Sequence, residues 1–433
     1  MKGNPINIIK YLIIISIGTL IEYYDGLVVG SIATLVWTKI MFPPGNPVAA
    51  LAFSLGAFGS VLFARPVGGL LFGNLGDRLG RKAMLIWTLV ITGIGMAGLA
   101  LMPTYAVIGI LAPILILIFR LTEGIGLGGE FGGADALLLE YVAKSNKRGF
   151  YTSFLQASTP AGVLIAALGL LLIIKLMGLG GFVAVGWRIL LGIGAILVVI
   201  GAIARYTVSE SPLFREILLD RKITKHPLIQ VVKSQWKTLI PLTLSLISLE
   251  VAFLLVYFPT GLSYMTSEGI PTVSAYIAII IGAITGVISS IVGGYLSDVI
   301  GRKVVIIAGS LFSLAATYIY FLISPKMPIL ANVVLLLAIG IGYGASAAFV
   351  GEHFPTKTRY SGISFAYQFS FFITGIYDAI LLPTIIVMSH GIIKASFDIL
   401  LLVFSSVIIS VISVVLLKET KDIDITTLDE VKQ

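Results

Sequence analysis

The chain has 433 residues, 58% hydrophobic and only 12% charged, with a mean hydropathy of +1.05 and a formal net charge of +8. That balance excludes a soluble globular domain. The absence of cysteine excludes disulfides, thiol nucleophiles and thiolate metal sites, and His226, His353 and His390 lie too far apart in sequence for a metal site to be expected.

A bilayer crossing takes about 20 mostly apolar residues, and the apolar residues come in continuous blocks without period-two alternation, which requires helices rather than barrel strands. Hydropathy predicts twelve spans, at 10–38, 48–74, 83–102, 105–140, 149–175, 183–206, 238–265, 272–297, 304–323, 328–351, 360–389 and 394–417. The first follows a positive start but continues through Glu22 and Asp25 to Trp37 with no small-residue cleavage site, so it reads as a retained span.

Of the 29 Lys and Arg, 22 fall on one side of these spans, among them Lys2, Lys10, Arg78, Lys82, Lys147, Arg148, Arg205, Arg221, Lys222, Arg359 and Lys432. The positive-inside rule makes that side, and both termini, cytoplasmic. The basic surplus then serves topology, so a multi-pass protein of the cell membrane with the lipid bilayer as partner is expected, and no nucleic acid. Residues 1–207 read as an N-terminal six-helix bundle, 208–237 as a cytoplasmic linker, and 238–433 as a C-terminal bundle with a cytoplasmic tail. Within the linker SESPLFREILLDRKITKHP reads as a short amphipathic segment ended by Pro227, or as a plain solvated connection.

The second and third spans are joined by GNLGDRLGRK, Gly73 to Lys82, which recurs as GGYLSDVIGRK with Asp298, Arg302 and Lys303 each 221 positions after Asp77, Arg81 and Lys82. Glu140 is echoed by Glu352 and Arg148 by Arg359. Such a duplication in an apolar chain marks a transporter built from two related halves. At each hinge the acid sits at the negative end of its own helix dipole and needs a neutraliser. The expectation is that Asp77 meets the start of the eleventh span near Arg359, that Asp298 meets the start of the fifth, and that Arg81 pairs with Glu140 and Arg302 with Glu352, together a latch on the cytoplasmic side. Topology anchoring by the same basic residues is compatible with this.

Ionisable groups inside spans point to a pathway. Glu22 and Asp25 share one face of the first span, and Arg65 lies near mid-depth in the second. The fourth runs RLTEGIGLGGEFGGADALLLE, with Arg120, Glu123 and Glu130 on one face. Glu250 and Asp378 lie within the seventh and eleventh spans. Asp25 with Arg120 is the preferred exchange pair, because separating an acid from a base switches its protonation; static structural pairing is the alternative for any one group. At the corresponding second-half positions Asn332 replaces Arg120 and Gly342 replaces Glu130, which puts proton coupling largely in the first half.

GNLGDRLGRK and RLTEGIGLG resemble the signatures of the major facilitator superfamily over almost the whole chain. Within it, EYYD at Glu22 to Asp25, RPVGG from Arg65, GLGGEFGG from Gly126, RGFYTSFLQ from Arg148, ESPLF from Glu210 and EHFPTKTRYSG from Glu352 are similar to the metabolite:proton symporter family. The resemblance implies an all-α membrane protein of twelve transmembrane helices in two pseudo-symmetric six-helix bundles. It also implies proton-driven uptake of a small organic acid or zwitterion, by a protein working as a monomer without a cofactor. Asp378 and the surplus of acids over Arg65 and Arg120 depart from that pattern and leave the substrate class open. Arg65 and Arg120 are the expected carboxylate binders; Asp25, Glu22, Glu123, Glu130, Glu250 and Asp378 the proton-coupling candidates; Tyr23, Tyr24, Gln156, Tyr257, Gln368 and Tyr377 the candidate pocket walls. Rival readings are a sugar:proton symporter, against which LISLEVAFLLVYFPTG lacks that family's paired glutamines, a proton-coupled multidrug or cation antiporter, and a membrane receptor that transports nothing. No nucleophile–base pair or phosphate loop suggests an enzyme.

Overall fold

The computed structural model describes residues 5–43, 47–220, 223–257 and 260–429. Lys2, Arg221, Lys222 and Lys432, counted above toward the basic side, lie outside them. Among the described residues every long element is a helix, because in hydrocarbon each backbone N–H and C=O must find its partner within its own segment. The long helices are α1 (Ile8–Ile40), α2 (Pro47–Leu79), α3 (Arg81–Leu101), α4 (Leu111–Tyr141), α5 (Arg148–Gly181), α6 (Trp187–Tyr206), α7 (Trp236–Ser267), α8 (Thr272–Ile300), α9 (Arg302–Ile323), α10 (Pro328–Gly351), α11 (Thr356–Met388) and α12 (Ser396–Leu416).

Among the described residues, eleven continuous runs are long and apolar enough to cross a bilayer, and one of them, Arg148–Tyr206, holds both α5 and α6. Its helical path breaks at Gly178, whose φ of 67° and ψ of 174° leave the α region. Both ends of the run return to the hinge face, where Arg148 binds Glu352 and Tyr206 accepts from Lys82. The run therefore crosses twice, giving twelve crossings in all.

The halves, α1–α6 and α7–α12, are built alike. In each, the helix before the hinge packs against the fourth of its half by close backbone approach: a Cβ on Gly128 would drive into the Arg65 carbonyl of α2, and one on Gly344 into the Ser290 carbonyl of α8. Small residues at such crossings replace the hydrophobic drive that lipid cannot supply. The halves meet along α2 with α11 and α5 with α8. Outward faces present apolar side chains such as Leu101, Leu172, Ile203, Leu322 and Val415, as lipid requires.

Wider π-type turns interrupt α1 at Ala33–Trp37, α7 at Ala252–Tyr257 and α11 at Tyr377–Leu381. Such turns shift the register of the side chains beyond them and recur at functional positions. Between the halves, Pro212–Leu219 is a helix capped by the Ser211 hydroxyl, which accepts from the Phe214 N–H at 3.1 Å, and Phe214 and Ile217 are buried. Pro227, expected to end an amphipathic segment, instead starts a second short helix, Pro227–Ser234. Proline suits a first helical position, where its missing N–H would have no partner anyway.

Candidate functional site

A cavity of about 70 Å³ lies between the halves, walled by α1, α2 and α4 on one side and α7 and α11 on the other. Glu22, Tyr23 and Asp25 reach it from α1, Arg65 from α2, Arg120 from α4 and Asp378 from α11, with Phe58, Leu254 and Phe371 as apolar wall. A formed ligand site takes roughly 300 Å³ or more, so the cavity is contracted.

Two charge clusters share this cavity. Arg65 donates from Nη1 to Glu22 Oε1 at 2.5 Å and from Nε to Gln368 Oε1 at 2.8 Å, and its guanidinium stacks 4.1 Å over the Phe371 ring. One cation and one acid balance there. Arg120 Nη1 is shared by two carboxylates, Asp25 at 2.8 Å and Glu123, while Nη2 donates to the Phe58 carbonyl at 3.3 Å. The two acids and one base are buried, and Asp25 Oδ1, Glu123 Oε1 and Arg120 Nε have no partner. With both acids ionised, one negative charge would stand uncompensated in an apolar interior.

Asp378 faces the cavity from the π-type turn of α11, half-buried, with no hydrogen-bond or ion-pair partner among the described residues. Tyr23 lines the cavity and meets the Phe253 ring edge-on at 5.7 Å. The remaining wall candidates are placed elsewhere. Tyr24 donates to the Leu190 carbonyl at 2.8 Å and Tyr257 to the Ile279 carbonyl at 2.7 Å, each tying neighbouring helices of one half. Tyr377 faces Ser405 of α12 at 3.3 Å. Gln156 donates to Ser346 at 2.6 Å and Tyr367 at 2.9 Å across the interface between halves, and Gln368 touches the site only through Arg65. Glu250 stands behind the wall, accepting from Ser370 at 2.7 Å and Thr374 at 3.2 Å.

Glu130 is apart from the cavity. It pairs with Arg205 of α6 and accepts from Thr88 at 2.7 Å, and the guanidinium also donates to the Leu85 and Ile15 carbonyls at 2.8 and 2.9 Å. Arg205, which the sequence puts among the cytoplasmic charges, is thus buried as well, only 2% exposed. The sequence signal is its position one residue before the end of a helix whose other charged residue is Arg188, at the opposite end.

On the hinge face the two repeats form matching sets. Asp77 accepts from the Tyr360 and Ser361 N–H groups at 3.2 and 2.8 Å, at the start of α11. Asp298 accepts from Gly149 and Phe150 at 2.9 and 2.8 Å, at the start of α5. Each acid thereby caps a helix of the opposite half, where the dipole is positive. Glu140 Oε1 accepts from Arg81 at 3.2 Å and Arg359 at 3.1 Å, and Glu352 Oε1 from Arg148 at 2.7 Å and Arg302 at 3.2 Å. All of these groups but the half-buried Asp298 are buried, so the face is closed.

Two further acids complete the hinges, and sequence reasoning did not select them as site residues. Glu210 accepts from the Lys82 N–H at 3.2 Å, and Glu419 from Arg302 and Lys303 N–H at 3.0 and 3.1 Å. Burial pushes the Glu210 carboxyl above its ordinary range. Burial also pushes Glu419 up, but the backbone N–H groups around it outweigh that and hold it below the usual carboxylate range. Each acid lies over a glycine of positive φ, Gly80 at 116° and Gly301 at 106°, where a Cβ would also crowd the carboxylate.

The family described as Major Facilitator Superfamily matches residues 15–378. The inner membrane metabolite transport protein YhjE of Escherichia coli K12 is 35% identical over 378 residues, covering 84% of this chain and 85% of that protein. The proline/betaine transporter of Salmonella typhimurium is 32% identical over 421 residues, covering 92% and 81%. Among solved structures, the proton:xylose symporter XylE bound to 6-bromo-6-deoxy-D-glucose superposes with a TM-score of 0.79 at 18% identity over the whole of both chains, a likeness of fold.

Proposed function

The chain belongs to the Major Facilitator Superfamily and is a multi-pass membrane transporter, and we propose that it carries a small zwitterionic or carboxylate metabolite into the cell together with protons, by alternating access. The observation that carries this reading is Arg120, held at the cavity between Asp25 and Glu123. A substrate carboxylate competing for that guanidinium strips an acid of its counter-ion, and the freed acid takes a proton. Substrate and proton then enter as a unit, which is symport. Arg65 offers a second cation, through its unpartnered Nη2.

Asp378 narrows the substrate class. A dianion would meet an unneutralised carboxylate across the cavity from the two arginines; a zwitterion would place its cationic group there, among Tyr23, Phe58 and Phe371. The proline/betaine relative supports that class. We assign Glu130 with Arg205, and Glu250 with its two hydroxyl donors, to holding helices in place. The charge asymmetry supports a plasma-membrane protein with its hinge face and both termini in the cytoplasm, and we take it to act as a monomer with its halves joined through 208–237.

The test is competition in proteoliposomes by a panel of zwitterions, simple carboxylates, organic cations and sugars against whichever labelled solute is taken up. Zwitterions are expected to compete best, and Asp378→Asn to weaken them by about tenfold or more while leaving simple carboxylates within about twofold, as for loss of one desolvated charge contact. Equal weakening of both classes would remove Asp378 from recognition. Competition by organic cations alone, with efflux rather than uptake, would support cation antiport, the reading that the surplus of acids also favours.

A further inference from the structure

Asp135 is the buried acid that the transport site leaves unused. It lies on α4 five residues from both Glu130 and Glu140, about 7.5 Å from each along the axis, and roughly 60° around the helix from Arg120. It is fully buried, and neither carboxyl oxygen has a partner. Its neighbours in depth are all committed: Glu130 to Arg205, Glu140 to Arg81 and Arg359, Glu352 to Arg148 and Arg302. Asp135 Oδ2 looks across the interface between halves at Gly351 of α10, standing 3.6 Å from where a Cβ would lie.

The charged groups that face it are Arg359 of α11 and Glu352 beyond α10, with the Tyr367 hydroxyl at the next level. Arg359 is engaged elsewhere, donating from Nε to the Gly351 and Phe354 carbonyls at 3.3 and 3.1 Å and from Nη1 to Glu140. Above Asp135, Phe131 packs on the Tyr367 ring at 4.2 Å, and the Tyr367 hydroxyl joins Gln156 and Ser346. The acid thus sits where α4, α5, α10 and α11 converge, between cavity and latch. An ionised carboxylate here would have neither water nor a donor.

We propose that Asp135 is a second proton site on the hinge side of the cavity. It holds a proton while the latch is closed and releases it to the cytoplasm when α4 parts from α10 and α11. Opening then removes Gly351 from above the carboxyl, admits water, and frees Arg359 from Glu140 to act as counter-ion. The inference rests on the proton-coupled reading but is tested apart from it.

The primary measurement is the infrared difference spectrum between the full-length protein and its latch-opened variant Asp77→Ala/Asp298→Ala. A protonated-carboxyl C=O band is expected to be lost on opening, and to be missing from the same comparison made in an Asp135→Asn background. The same set of lost bands in both backgrounds overturns the proposal. In proteoliposomes, efflux is expected to depend on internal pH in the wild type, to lose that dependence in Asp135→Asn, and to regain it in Asp135→Glu, with melting temperatures matched. An Asp135→Asn pH profile identical to wild type also overturns it. Loss of the infrared band in a wild type whose transport ignores pH gradients would overturn the symport reading while keeping Asp135 as a titrating group.

Discussion

Asp25→Asn leaves a protein that equilibrates its substrate but no longer concentrates it. Arg120 serves Asp25 at 2.8 Å and Glu123 besides, and in the proposed cycle the uncompensated second carboxylate is what takes up the proton. Replacing Asp25 by its amide keeps the shape and an acceptor for the guanidinium, but leaves Arg120 and Glu123 as a closed neutral pair. With one proton per substrate, a pH gradient of one unit sustains about tenfold accumulation; the variant is expected to level at parity while counterflow continues near the wild-type rate. Full concentrative uptake in the variant would remove Asp25 from the coupling role. Arg120→Ala is a poorer test, since two buried acids left without their cation would cost about 3–5 kcal/mol of stability.

The second large effect is expected at the latch. Asp77 and Asp298 each cap a helix of the opposite half, and each also meets an arginine of its own hinge, Arg81 at 3.1 Å and Arg302 at 2.7 Å. Asp77→Ala/Asp298→Ala removes both caps, at about 1 kcal/mol apiece, which shifts the balance between closed and open hinge faces by roughly thirtyfold. The chain contains no cysteine, so one introduced thiol reports without background. Ser364 of α11 is fully buried against Gly132 of α4 beneath the latch. In a Ser364→Cys protein, a membrane-impermeant thiol reagent applied from the hinge side is expected to react at least tenfold faster once both caps are gone, while concentrative uptake falls. An unchanged labelling rate would remove the hinge acids from the latch and leave the hinges' basic residues as topology anchors.

Much of this was legible in the sequence because lipid leaves the chain few choices. Twelve spans and the doubled hinge follow from hydropathy and an offset of 221. Pairings between helices distant in sequence were less accessible. Spacing put Glu130 on the face of Arg120 and Glu123, yet its cation, Arg205, comes from α6, 75 residues on, and is near enough to the helix end to read as a membrane-surface charge. Tyr24, Tyr257 and Tyr377 were chosen as aromatics within functional spans, but each hydroxyl reaches a neighbouring helix of its own half. Asp135 shares this stretch of α4 but points around the helix from the charged face, toward partners that only the packing of the two halves supplies. Glu419 could have been found by symmetry: it follows α12 as Glu210 follows α6, and each serves a hinge.

Whether a proton gradient drives net movement through this site is decided by uptake into liposomes holding the purified protein, with the outside acidic. Labelled betaine, proline and small carboxylates are the probes. Accumulation of one of them above the external concentration, collapsing when a protonophore is added, is the expected result. Equilibration to the same level with and without the gradient would contradict the account, and would leave the acids around Arg120 as structural charges.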